Sequence, residues 1–96
     1  MSSQIPTGNP EAIAAEQLPS VEVLLTDVVA RLSLAAHAYL VTEEGEQARM
    51  SDAEIAIDVA TTAFERFKER LRPEERLAIT QLLTETRMAF VRKRGL

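Results

Sequence analysis

The sequence contains no cysteine and no tryptophan, and it has only three glycines among its 96 residues. The absence of cysteine excludes disulfide bonds, thiolate metal sites and cysteine nucleophiles, and it is typical of proteins kept in a reducing compartment. Because the glycines are scattered along the chain, a glycine-rich phosphate-binding loop is excluded as well. These absences remove several common classes of catalytic and cofactor-binding site.

Aromatic residues are also scarce, at 4%, whereas Ala, Leu, Glu and Arg are abundant. Those four residue types are the ones that lose little conformational freedom on entering a helix. The chain is long enough for one domain, and its hydrophobic content of 46% is ordinary for a globular protein. The composition therefore predicts a single all-α domain.

The formal net charge is −4, with an acidic first half and a nearly neutral second half. An overall acidic charge disfavours non-specific binding to nucleic-acid phosphates, because that binding is mostly electrostatic.

The longest apolar stretch, residues 21–41, is long enough to raise the question of a membrane span. Asp27 and Arg31 lie near its middle, and each costs roughly 3 kcal/mol at the centre of a bilayer. The opening residues also lack the basic cluster and apolar run of a secretory signal. We therefore expect a cytoplasmic protein with no membrane span.

Residues 1–19 contain three prolines and predict a disordered tail, followed by a three-helix domain over residues 20–96.

Ser20 predicts the N-cap of a long apolar first helix that ends at about Val41. A broad apolar face of this helix is expected to be buried: Val21, Leu24, Leu25, Val28, Val29, Leu32, Ala35, Ala36 and Tyr39. A second stripe holds Val23, Ala30, Leu34 and Val41. Two polar strips divide these apolar faces: Glu22, Thr26, Ser33 and His37 in one, Asp27 and Arg31 in the other. A helix that is apolar on two sides is either central or shared with a partner.

Ser51 and Glu54 form a predicted capping box at the start of a second helix, after a polar loop around Gly45. This helix is expected to end at about Leu71 and to bury Ala53, Ala56, Ile57, Val59, Ala60, Ala63, Phe64, Phe67 and Leu71. Pro73 starts a third helix, which runs to about Arg94 and is terminated by Gly95. This helix is expected to bury Ala78, Ile79, Leu82, Leu83, Ala89 and Phe90. Because the link is short, the second and third helices are expected to form an antiparallel hairpin.

Several local patterns are shared with a known family. They are the apolar first helix and, further on, Ala56-Ile57-Asp58, the helix start Pro73-Glu74-Glu75, and the positions Leu82, Leu83, Arg87 and Phe90. Through them, residues 21–94 resemble the bacterial domain-of-unknown-function family 1844. The link Arg70-Leu71-Arg72 departs from the Gly-Asn-Leu-Thr type found in similar proteins. The resemblance implies a small helical bacterial protein without an assigned catalytic residue or cofactor, and a link to translation, since similar genes in some actinobacteria lie beside translation-initiation and ribosomal-protein genes.

No residue pattern indicates catalysis. The single histidine, His37, shares its strip with too few good ligands for a metal site. The acidic face of the second helix lacks the Glu-x-x-His pattern of di-iron proteins, and the acidic loop lacks the ligand spacing of a calcium site. The best-placed serines, Ser20 and Ser51, are explained as helix caps. We therefore expect a non-enzymatic protein with no catalytic residue, no metal, no cofactor and no small-molecule substrate.

Two surfaces remain as functional candidates. The first is the basic end of the third helix, which predicts a phosphate or RNA contact through Arg87, Arg92, Lys93 and Arg94. Cations in a last helical turn are also favoured by the helix dipole, so a purely structural role stays open. The second candidate is a subunit interface in a homodimer, predicted from near-heptad apolar stripes. It consists of Val23, Ala30, Leu34 and Val41 on the first helix and Leu77, Met88 and Val91 on the third.

The sequence thus predicts a helical protein-interaction module that self-associates. Inner packing of the apolar stripes within a monomeric bundle is the alternative to a dimer. A ribosome- or RNA-associated accessory factor that docks through its basic C-terminal helix is the alternative function. The cellular role, the partner and the number of subunits stay open.

We predict that protein purified without added metal contains no bound metal ion, because the chain has no cysteine and a single histidine. Elemental analysis after dialysis measures this directly. Zinc, iron or manganese retained at a stoichiometric level would contradict the prediction.

Overall fold

The structure is a computed structural model, and it describes residues 17–41 and 47–95. Most of these residues lie in three helices: α1 (Val21–Leu40), α2 (Met50–Phe67) and α3 (Pro73–Lys93). The described residues contain no strand, so the predicted all-α fold is confirmed. Most of the predicted disordered tail, and the predicted loop around Gly45, lie outside the described residues.

The N-terminus of α1 lies where the sequence places it. Ser20 has the extended backbone of an N-cap, and its carbonyl accepts hydrogen bonds from the N–H groups of Val23 (3.1 Å) and Leu24 (3.3 Å). Its hydroxyl makes no capping hydrogen bond. The cap therefore works through the backbone alone.

The predicted capping box at the start of α2 is wrong. The helix begins at Met50 with Arg49 as N-cap, so Ser51 already lies inside the first turn. Arg49 is held there by Tyr39, whose carbonyl accepts the Arg49 N–H at 2.9 Å and whose ring lies 4.7 Å below the guanidinium. Asp52 accepts a hydrogen bond from Arg49 Nε at 2.8 Å, at a position where the helix dipole favours a carboxylate. These contacts join the end of α1 to the start of α2.

The link between α2 and α3 is longer than expected, because α2 ends at Phe67 rather than at Leu71. A 3-10 turn over Lys68–Arg70 follows, and Pro73 then opens α3 as predicted. An ion pair between Arg76 Nη1 and Glu69 Oε1, 3.1 Å apart, bridges the turn.

Glu75 caps the N-terminus of α3. It accepts hydrogen bonds from the guanidinium of Arg72 at 3.1 Å and from the Arg72 backbone N–H at 3.2 Å. These two hydrogen bonds, the side-chain one first, hold the pKa of Glu75 below its ordinary value. The contact is one-sided, because a guanidinium cannot accept a hydrogen bond in return. At the other end of α3, Gly95 has a φ of 88°, the left-handed conformation expected of a helix terminator.

The core is built from two clusters, and α1 contributes to both. One cluster joins the start of α2 to the end of α3: Ala36, Leu40, Ala53, Ala56, Ile57 and Phe90. The other joins the end of α2 to the start of α3: Val29, Ala60, Phe64, Phe67, Ile79 and Leu83. The predicted antiparallel hairpin of α2 and α3 is therefore confirmed, and α1 packs against both of its helices.

The rotation of α1 about its axis differs from the prediction. Its buried residues follow one another at intervals of four, three and four: Val29, Ser33, Ala36 and Leu40. Val21, Leu24 and Val28, which were predicted to be buried, are exposed. Ala36 shares its cluster with Ala53 and Ala56 of α2. Because small side chains allow a close approach of two helices, this contact directs the bulkier residues outward. Val59 and Ala78 are also exposed, against the prediction.

Two polar residues, Ser33 and His37, consequently form a polar line on the inner side of α1. Ser33 and Thr86 are almost completely buried, and the hydroxyl of Ser33 has no hydrogen-bond partner among the described residues. Thr86 Oγ1 donates its one hydrogen to the carbonyl of Leu82 at 2.8 Å. The hydrogen bond of 3.1 Å between Thr86 Oγ1 and His37 Nε2 must therefore be donated by the histidine. This contact joins α1 directly to α3.

We predict opposite effects from removing these two hydroxyls. Ser33→Ala removes an unpaired buried group and adds a better helix former, so we expect stability to rise by about 1 kcal/mol. Thr86→Val leaves His37 without its partner, so we expect a loss of about 1–3 kcal/mol. Urea unfolding followed by circular dichroism at one fixed protein concentration measures both. A destabilised Ser33→Ala variant would show that this hydroxyl has a partner.

Candidate interaction surfaces

The side of α1 that points away from the core is exposed and mostly apolar. We call it the outer face of α1, and it consists of Val23, Leu24, Asp27, Val28, Arg31, Leu34, Ala38 and Val41. Leu34 is 68% exposed and Val41 is 71% exposed. Three residues of the predicted interface stripe belong to this face, and the fourth, Ala30, is half-buried at its edge. A contiguous apolar surface with so few charges is typical of a site of protein or membrane contact.

Only two charged residues belong to the outer face of α1, and they neutralise each other. Arg31 Nε lies 2.8 Å from Asp27 Oδ2, and both side chains are exposed. The pair stands one helical turn apart on α1, the spacing at which opposite charges attract. The outer face therefore carries no net charge that would repel an identical surface.

A second apolar surface lies between α2 and α3. It is an open groove of about 470 Å³, and Met88 and Val91 line it together with Phe64 and Leu83. Leu77, the third residue of the predicted stripe on α3, is exposed. All residues lining this groove come from α2 and α3. The two stripes that were predicted to form one interface therefore lie on separate surfaces.

The basic residues at the end of α3 do not form one patch. Arg87 donates to the hydroxyl of Thr61 at 2.6 Å, and the Arg94 guanidinium lies 5.4 Å from the centre of the Phe90 ring. Arg87 and Arg94 share a recess with two carboxylates of α2, Glu54 and Asp58. These acids weaken the attraction of the recess for a phosphate.

Arg92 and Lys93, the other two predicted phosphate contacts, line a shallow depression with His37, Leu40 and Val41. Arg92 also lines the groove between α2 and α3 together with Arg87. The four predicted contacts therefore do not share one recess, and the contacts of Arg87 with Thr61 and of Arg94 with Phe90 favour a structural role for these two residues.

His37 has a structural partner rather than a catalytic one. Its ring hydrogen-bonds to Thr86, a buried residue that is itself bonded to the backbone of α3. The described residues contain no group of three His, Cys, Asp or Glu side chains placed to hold a metal ion. The acidic face predicted on α2 is exposed, and within it Glu65 pairs with Lys68 at 2.7 Å.

Comparison with known proteins finds no match for this chain among family models, curated proteins or solved structures. The resemblance to the domain-of-unknown-function family 1844 stays a prediction. Among the described helices, α1 is long and apolar enough to cross a membrane by length and composition. A core helix of a soluble protein meets the same criterion.

We predict that any RNA binding by this protein is to phosphates. Replacing Arg92, Lys93 and Arg94 together by glutamine should then weaken binding equally for RNAs of different sequence and flatten its salt dependence. Fluorescence anisotropy with two unrelated RNAs over a range of salt concentrations measures both effects. Arg66→Gln is a control that removes one positive charge from the other end of the hairpin, because Arg66 is exposed near the end of α2. A loss that depends on RNA sequence would contradict phosphate contact.

Proposed function

We propose that this chain is a non-enzymatic helical interaction module that forms a homodimer through the outer face of α1. The observation that carries the proposal is the exposure of an apolar helix. Leu24, Leu34 and Val41 are each at least half exposed, although leucine and valine are among the residues most often buried. Covering this face with a second copy removes that apolar surface from water, at a gain of about 25 cal/mol per Å².

Size also favours association. The three-helix domain is small, and cores of this size rarely supply more than about 3–5 kcal/mol of net stability. Several of the largest apolar side chains of α1 contribute little to the core of the single chain, whereas alanines make up much of that core. Burial between two copies would add stability that the single chain lacks.

A second copy fits the outer face of α1 better than a lipid bilayer does. The inner side of α1 supplies Val29, Ala36 and Leu40 to the two core clusters, so a membrane-spanning α1 would dismantle both. Asp27 and Arg31 lie within the outer face and would be placed in hydrocarbon, at a cost of several kcal/mol. Against another copy, each of these charges can meet its opposite.

The ribosome- or RNA-associated function is the weaker candidate. Its predicted contacts do not share one recess, and two of them, Arg87 and Arg94, lie beside carboxylates of α2. The chain as a whole is acidic, which opposes the long-range attraction on which most RNA binding depends. Self-association requires neither a basic patch nor a ligand.

We predict that the wild-type protein is a dimer at tens of micromolar. Leu34→Glu places a charge in the desolvated contact, so we expect its dissociation constant to rise by more than about tenfold, with the helix content of the monomer retained. Size-exclusion chromatography with light scattering measures the mass, and circular dichroism measures the fold. Met88→Glu is the matched control, because Met88 is also exposed but lies in the groove between α2 and α3.

We expect the Met88→Glu variant to stay dimeric. If it dissociates and Leu34→Glu does not, the contact lies on α3 instead of α1. A wild-type protein that is monomeric at these concentrations would contradict the proposed function.

A further inference from the structure

On the outer face of α1, the leucines and the charged residues are spaced symmetrically about the middle of the helix. Leu24 and Leu34 lie five residues on either side of Val29, and Asp27 and Arg31 lie two residues on either side of it. Leu24, Asp27, Arg31, Leu34 and Ala38 also follow one another at alternating spacings of three and four residues, and all of them are exposed. This spacing is that of the contact seam between two helices of a coiled coil.

We propose that α1 pairs with α1 of a second copy in antiparallel orientation, about a two-fold axis that crosses the outer face of α1 at the level of Val29. The side chain of Val29 itself is buried on the opposite side of the helix. This inference rests on the proposed function and specifies its geometry. In this arrangement Leu24 faces Leu34 of the partner subunit, and Asp27 faces Arg31 of the partner subunit. The two-fold axis repeats each contact, so the interface has two leucine pairs and two ion pairs.

The charges determine the orientation. In a parallel, in-register pair, Asp27 would face Asp27 of the partner subunit and Arg31 would face Arg31 of the partner subunit, and both contacts are repulsive. In the antiparallel pair, every contact between charged residues of the seam is attractive. The existing contact of 2.8 Å between Asp27 and Arg31 within one chain then becomes part of a network of four charges with no net charge. Such a network specifies the register as well as the direction of pairing.

The spacing of Leu24, Asp27, Arg31 and Leu34 determines the register of the pair. A shift of the register by one residue in either direction would lose both the leucine pairs and the ion pairs.

Cysteine cross-linking tests the orientation, and the chain offers a clean background because it contains no cysteine. The Leu24→Cys and Leu34→Cys variants are oxidised separately and as an equimolar mixture. We expect a disulfide-linked dimer in the mixture, containing one chain of each kind, and little cross-linked dimer from either variant alone. Strong cross-linking of Leu24→Cys to itself would overturn the antiparallel arrangement.

Charge reversal tests the ion pairs. Asp27→Arg and Arg31→Asp each place like charges opposite one another in the antiparallel dimer, so we expect the dissociation constant to rise by more than about tenfold. The double variant restores opposite charges, and we expect it to return close to the wild-type value. In a parallel dimer the single reversals would change little, because like charges already face each other there. Sedimentation equilibrium measures all four proteins.

The outcomes separate this inference from the proposed function. A monomeric wild-type protein overturns both. A dimer that Leu34→Glu dissociates, but whose double charge reversal binds as weakly as the single reversals, overturns the antiparallel register and leaves the outer face of α1 as the interface.

Discussion

The close contact between α1 and α2 through alanine side chains is the constraint on which the rest of the structure depends. Ala36 of α1 and Ala53 and Ala60 of α2 are completely buried, so the two helices meet along their smallest residues. This contact fixes the rotation of α1 about its axis. Once that rotation is fixed, a polar line faces the interior and a row of leucines and valines faces outward. Both the buried hydrogen bond to α3 and the outer face of α1 follow from it.

The inward polar line has its own effect on specificity. Apolar burial is non-directional, whereas a buried hydrogen bond is lost when the partners move apart. His37 and Thr86 therefore fix the position of α1 relative to α3. The ion pair of Glu22 with Arg70, at 3.2 Å, does the same at the N-terminus of α1 by holding it against the turn between α2 and α3. The register of the three helices thus depends on a few polar contacts as well as on the apolar core.

Sequence patterns predicted the existence of all three helices, the positions of Ser20, Pro73 and Gly95, and the antiparallel hairpin. Each of these depends on local chemistry: a cap, a missing N–H group, or a residue that tolerates a left-handed backbone. The burial of α2 was also largely predictable, because its apolar and acidic faces are clearly separated.

The start of α2 was not predictable, because the contact of Arg49 with Tyr39 joins parts of the chain that only the fold brings together. The rotation of α1 was not predictable either, since apolar residues surround most of this helix and periodicity cannot then decide which side is buried. As a result, Leu24 and Val28 were missed as surface residues, although the alternating three- and four-residue spacing from Leu24 to Ala38 was present in the sequence.

The contact between Arg49 and Tyr39 gives the molecule an optical property. With no tryptophan and one tyrosine in the chain, Tyr39 is the sole source of intrinsic fluorescence when the light is of a wavelength too long for phenylalanine to absorb. That ring lies at the end of α1, beneath a guanidinium and beside the hydrogen bond that joins α1 to α2. Its emission therefore reports on one defined point of the structure, the junction of the first two helices. Opening of that junction can be followed without a label, on a chain whose core contains no competing chromophore that absorbs at the same wavelengths.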